Sequence, residues 1–135
     1  HPQLERYHKK ALILGTGGAS KAIDFSLKNL GLETVFVSRY ERPGTIQYAD
    51  ITPEIIKEYN VIVNCTPCGM YPHVDECPLL PYEAMDSHTL LYDLIYNPDE
   101  TLFLKKGKAQ GASTCNGLEM LLLQAFASWE FWNNK

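Results

Sequence analysis

The sequence predicts an α/β fold, a doubly wound parallel sheet of about six strands in the Rossmann-like, NAD(P)-binding manner. Three observations carry that expectation. An apolar run breaks into glycines and then resumes as a helical pattern, Ala11-Leu12-Ile13-Leu14-Gly15-Thr16-Gly17-Gly18-Ala19-Ser20-Lys21-Ala22. A second β-rich run, Thr34-Val35-Phe36-Val37-Ser38, follows at once. Farther along, β-branched and aliphatic runs alternate with helix signals, as parallel strands joined by crossovers require.

The glycine-rich segment reads as a strand, a phosphate-cradling turn and a helix N-terminus. Gly15 allows the tight turn, Gly17 lets the backbone approach the phosphates, and small Ser20 lets helix and strand pack closely. Gly15, Thr16, Gly17, Gly18 and Ala19 are therefore candidate cofactor-binding residues. The helix after the turn carries apolar residues at Ala22, Ile23, Leu27 and Leu30, with Gly31 in a C-cap place. At the end of the second strand stand Ser38 and Arg39, with no acid before Glu41. A cation here suits the 2′-phosphate of NADP(H), because a guanidinium fork pairs with phosphate and stacks on adenine. The alternative is that Arg39 is a solvated loop residue and Glu41 binds a ribose 2′-hydroxyl.

With 135 residues, 45% of them hydrophobic and 21% charged, the chain fits one globular domain, expected over residues 11–135. Residues 1–10 read as a linker or the tail of an upstream helix. A net charge of −4 and basic clusters limited to Lys9-Lys10 and Lys105-Lys106-Lys108 argue against a nucleic-acid partner. No apolar run reaches the roughly 20 residues of a membrane span, and no secretory apolar region is seen, so a cytoplasmic location is expected. Cys65-Thr66-Pro67-Cys68 has a C-x-x-C spacing, but Gly69 and Pro72 forbid the helix that a redox pair would start. Cys77 and Cys115 are spaced irregularly for zinc, so no metal is expected and four reduced thiols are read.

Thr45-Ile46-Gln47-Tyr48 alternates as a short third strand after the Pro43-Gly44 turn. Thr52-Pro53-Glu54 opens a helix to about Tyr59 with a capping threonine and an N1 proline. Val61-Ile62-Val63-Asn64-Cys65 has the composition of a buried parallel strand. A proline-bearing loop from Thr66 to about Ser87 leads to the strand Thr89–Ile95. Asn97-Pro98-Asp99-Glu100 carries helix-start signals, and that helix is expected to end at Gly111. Residues 112–115 read as a sixth strand. A last helix from Leu118 places Leu118, Leu121, Leu122, Ala125, Phe126 and Trp129 on one face.

Five motifs in order resemble the C-terminal, NADP-binding domain of the shikimate 5-dehydrogenase family, from about Ala11 to Trp132. They are the Gly15–Ala22 turn, Ser38-Arg39, Val63-Asn64-Cys65-Thr66-Pro67-Cys68-Gly69-Met70, Tyr92-Asp93-Leu94-Ile95-Tyr96-Asn97-Pro98 and the stretch Asn116–Phe126. Ser38 and Tyr40 depart from the family's usual Asn-Arg-Thr. The resemblance implies cofactor contacts from Thr66, Pro67, Gly69 and Met70 where the fourth strand ends, and from Gly117 and Met120 beside the nicotinamide. It also implies contacts from Tyr96 and Gln124 to shikimate or 3-dehydroshikimate.

Hydride transfer to or from an alcohol needs a group that moves the hydroxyl proton. The resemblance places that Lys and Asp pair in an N-terminal substrate domain, so no catalytic residue is expected in this chain. Asp93, inside a strand, reads as a hydrogen-bonded structural acid, and His73 and His88 read as solvated. The chain is thus expected to be the cofactor domain of a larger enzyme, inactive alone. The alternatives are a quinate or dual-specificity relative and a stand-alone NADP-sensing module. Phe131 and Trp132, off the apolar stripe of the last helix, suggest a homodimer.

Overall fold

The computed structural model describes residues 4–95 and 97–116. Six strands form one parallel sheet: β1 (Lys10–Leu14), β2 (Glu33–Ser38), β3 (Thr45–Gln47), β4 (Val61–Asn64), β5 (Leu90–Asp93) and β6 (Ser113–Cys115). Their spatial order is β3-β2-β1-β4-β5-β6. The chain therefore builds outward from β1 to one edge and returns to build toward the other. The reversal puts a crevice beyond the carboxyl ends of β1 and β4, where open α/β sheets bind ligands.

Side-chain alternation divides the core between the two faces of the sheet. Ala11, Ile13, Val61, Val63, Leu90 and Tyr92 pack with Ile23 and Leu27 of α1 (Gly18–Asn29). Leu12, Leu14, Ile62 and Leu91 pack on the other side with Ile56 of α2 (Pro53–Glu58) and with Phe103 and Leu104 of α3 (Leu102–Ala109). All four residues of both β4 and β5 are buried, as strands covered on two faces must be.

Several local expectations need correction. The buried stripe of α1 is Ser20, Ile23 and Leu27, while Ala22 and Leu30 are exposed. Strand β1 starts at Lys10, and buried His8 lies just before it, accepting from the Glu5 N–H and contacting the His88 carbonyl. Asn97 does not start α3. Thr101 does so, its hydroxyl accepting from the Leu104 N–H, and the helix ends at Ala109 with Gly111 beyond it at positive φ. The Asn97–Glu100 signals lost because Thr101 is fully buried and bonded to Asp93, a tertiary contact that local capping rules do not register. The expected helix from Leu118, with Gly117, Met120, Gln124, Phe131 and Trp132, lies outside the described residues, as does Tyr96. No helix among the described residues is long and apolar enough to cross a membrane.

Candidate dinucleotide site

Gly15 adopts φ +112° where β1 ends, and its N–H donates to the Val37 carbonyl at 2.9 Å. The chain turns there and enters α1. Gly17 is the N-cap residue and has no side chain to cap the helix, whereas α2 and α3 are capped by the Thr52 and Thr101 hydroxyls. The first-turn amides of α1 thus lack a side-chain acceptor, and they carry the positive end of the helix dipole. Gly17, Gly18 and Ala19 are exposed, and a Cβ at Gly17 or Gly18 would meet nothing within 4 Å. Ser20 is fully buried and donates to the Gly17 carbonyl at 2.6 Å, closing the turn from beneath. An anion fits this open, uncapped end.

A cavity of about 860 Å³ has walls that include Arg39, Tyr48, Thr66, Pro67, Met70 and Leu79. Arg39 and Tyr40 come from the end of β2, and Gln47 to Ala49 from the end of β3. The long loop after β4 forms the facing wall. Arg39 is exposed, its guanidinium 5.6 Å from the centre of the Tyr40 ring. Glu41 is also exposed but does not line the cavity.

Four sequence-selected residues, Arg39, Thr66, Pro67 and Met70, therefore meet in one cavity. Gly15 does not line it but lies against Thr66, which does. Two others sit differently. Ser38 is buried, and its hydroxyl accepts from the Tyr40 N–H at 3.1 Å, so it shapes the turn that presents Arg39. Gly69 is buried at φ +96°, where a Cβ would lie 3.0 Å from the Glu76 carbonyl oxygen.

In the sequence, Asn64 falls in a strand and in a family motif without a role, yet a polar cluster centres on it beneath the Thr66–Met70 wall. Its Nδ2 donates to Asp93 Oδ1 at 3.2 Å and to the Cys68 carbonyl at 3.3 Å. Its Oδ1 accepts from the Thr66 N–H at 3.1 Å and the Thr66 hydroxyl at 2.6 Å. Asp93 is fully buried and accepts also from the Ile95 N–H and the Thr101 hydroxyl. Burial pushes its carboxyl up to about 6, against the pull of the hydrogen bonds from Thr101, Ile95 and Asn64. Cys65 is pushed up to about 12 by burial and by the Asp93 charge, and burial also raises Cys68. A raised pKa is the reverse of what a reactive thiolate needs. The side chains of His73 and His88 are 73% and 63% exposed.

No protein-family model matches the chain. A shikimate dehydrogenase (NADP(+)) of Methanococcus maripaludis is 37% identical over 141 residues, covering 93% of this chain and 50% of that protein. The crystal structure of a shikimate 5-dehydrogenase from Thermus thermophilus, in complex with NADP(H) and shikimate, superposes with a TM-score of 0.70 at 30% identity over 93% of this chain and 49% of that one. A chorismate mutase/shikimate 5-dehydrogenase fusion protein from Clostridium acetobutylicum gives a TM-score of 0.70 at 38% identity, over 94% and 47%. The chain spans about half the length of the relatives it matches.

Proposed function

Because the chain is related to shikimate dehydrogenases over about half of their length, we propose that it is the NADP(H)-binding domain of such an enzyme. That domain is assigned to residues 11–135, with Lys10 already in its first strand and His8 buried just before it. One observation supports the reading above the rest: Arg39 shares a cavity with Thr66, Pro67 and Met70, and Thr66 also lies against Gly15, which opens the turn into the uncapped helix α1. In this reading the amides of Gly18, Ala19 and Ser20 hold the pyrophosphate and Arg39 takes the 2′-phosphate. Thr66 to Met70 border the nicotinamide ribose, with Gly117 and Met120 beside the ring and Tyr96 and Gln124 toward the substrate.

The whole enzyme would reduce 3-dehydroshikimate to shikimate reversibly, the nicotinamide supplying or accepting the hydride. Proton transfer is assigned to a Lys and Asp pair outside this chain, since Asp93 is sealed in the core and spends both carboxylate oxygens on hydrogen bonds. A cytoplasmic location goes with this reading. So does self-association through Phe131 and Trp132, which sedimentation of the chain and of its Trp132→Ser variant tests.

Fluorescence titration with NADPH should give saturable binding, while shikimate-dependent reduction of NADP+ by the chain alone stays at background. Absence of binding overturns the cofactor assignment. Turnover like that of a complete dehydrogenase overturns the placement of the proton-transferring groups.

A further inference from the structure

Asn64 spends its whole amide on the wall of the cavity. Both donor hydrogens and two acceptor positions are used, and three of the four bonds go to Thr66 or Cys68. The Thr66 hydroxyl then accepts from the Cys68 N–H at 3.2 Å, so one side chain ties down both ends of that short turn. The fourth bond fixes which way the amide points. Asp93 lies directly opposite Asn64 across β4 and β5, and an ionised carboxylate only accepts, so the amide nitrogen must face it. A flipped amide would set its oxygen against the carboxylate and its NH2 against the Thr66 N–H.

The same carboxylate reaches the loop from a second side. Its Oδ2 accepts from Thr101, whose Cβ would lie 3.7 Å from a Cβ at Gly69, two residues past Pro67. A buried acid with no cation among the described residues is a poor source of stability, because desolvation opposes its hydrogen bonds. A cluster with that cost, directly beneath a cavity wall, is accounted for by the shape it imposes on that wall.

We propose that Asn64 and Asp93 are positioning residues for the dinucleotide, fixing the Thr66–Met70 wall in the shape that receives it without touching the ligand. This rests on the NADP(H) reading. Asn64→Leu keeps the size of a buried side chain and removes every tether. Asp93→Asn keeps an oxygen to accept from Asn64 and Ile95 and turns its NH2 toward the Thr101 hydroxyl, whereas Asp93→Leu offers nothing.

The test measures NADPH dissociation constants by fluorescence titration well below each variant's melting temperature, and amide resonances of Thr66 and Cys68 without ligand. Asn64→Leu and Asp93→Leu should weaken NADPH binding about tenfold and shift both resonances. Asp93→Asn should restore affinity to within about twofold of the unmodified chain. Asn64→Ser, which shortens the tether without apolar bulk, carries the same expectation as Asn64→Leu should the latter not fold. Leu90→Val, a core change at the far end of β5, should lower the melting temperature and leave affinity and both resonances unchanged. Unshifted resonances in the Asn64 variants overturn the proposal whatever the ligand does. So does full affinity in those variants while Arg39→Ala loses it. If the unmodified chain does not bind NADPH but the resonances shift, the cofactor reading fails and the control of loop shape stands.

Discussion

Gly15 and Thr66 face each other across the crevice at the ends of β1 and β4: a Cβ on Gly15 would lie 3.3 Å from Thr66 Cγ2 and 3.4 Å from the Cys65 carbonyl oxygen. The turn that opens the proposed pyrophosphate site thus rests on the loop that walls the cavity. At φ +112° any L side chain is strained before it meets that wall. Gly15→Ala should cost about 1 to 3 kcal/mol in urea unfolding. It should also weaken NADPH binding, which calorimetry would read.

Gly69, within that same loop, is held more tightly still. Its φ of +96° disfavours a side chain, and the atom 3.0 Å from a new Cβ is the Glu76 backbone oxygen, which cannot rotate aside. Gly69→Ala should cost about 2 kcal/mol or more of stability. Chemical denaturation measures it, and a neutral result would show that the 69–76 segment yields freely.

Gly107 reverses the usual rule for a glycine inside a helix. Propensity alone would reward Gly107→Ala by about 1 kcal/mol. The added Cβ would overlap Leu91 Cδ1, and Leu91 is fully buried in β5, so relief must come from moving the core. Overpacking of this kind costs about 1 to 3 kcal/mol, and the variant should therefore melt at a lower temperature than the parent chain.

The architecture was legible in the sequence because its signals are local. The break from Leu14 into Gly15 and the apolar runs at Val61 and Leu90 need no partner to be read. The start of α3 was not legible. Asn97-Pro98 has the letters of a helix cap, but Thr101 takes that role because Asp93 holds it, and Asp93 is eight residues away on a strand. The role of Asn64 was missed although its bonds to Thr66 and Cys68 are local, an Asx-type pattern; the bond to Asp93 depends on the pairing of β4 with β5, which no spacing rule reads. Arg39 could be chosen from its place after β2, while its meeting with Thr66, Pro67 and Met70 depended on the β3-β2-β1-β4 order.

Asp93 also sets a pH dependence with a definite sign. Its carboxyl rises from the ordinary 3.8 to about 6 in the folded chain, so the folded state holds a proton more tightly than the unfolded one. The stability this contributes is complete below pH 3.8 and is lost as pH rises through about 6. Asp93→Asn lacks the ionisation. Relative to the unmodified chain, it should gain up to about 3 kcal/mol between pH 4 and pH 7 in urea unfolding. Asp86, whose pKa is lowered chiefly by the His88 N–H, is present in both proteins and cancels in the difference. Parallel stability curves would mean that Asp93 does not titrate in this range.

The central claim is that the cavity beside Arg39 receives the phosphorylated adenosine of NADP(H). It is tested most directly by titrating NADPH and NADH into the unmodified chain and into Arg39→Ala. The account predicts tighter binding of NADPH than NADH to the unmodified chain. Arg39→Ala should lose about 1.5 to 3 kcal/mol of NADPH affinity and leave NADH nearly unchanged, as expected for a charge-assisted bond to a phosphate that NADH lacks. Equal affinities for the two nucleotides in the unmodified chain, or an equal loss for both in Arg39→Ala, would contradict it.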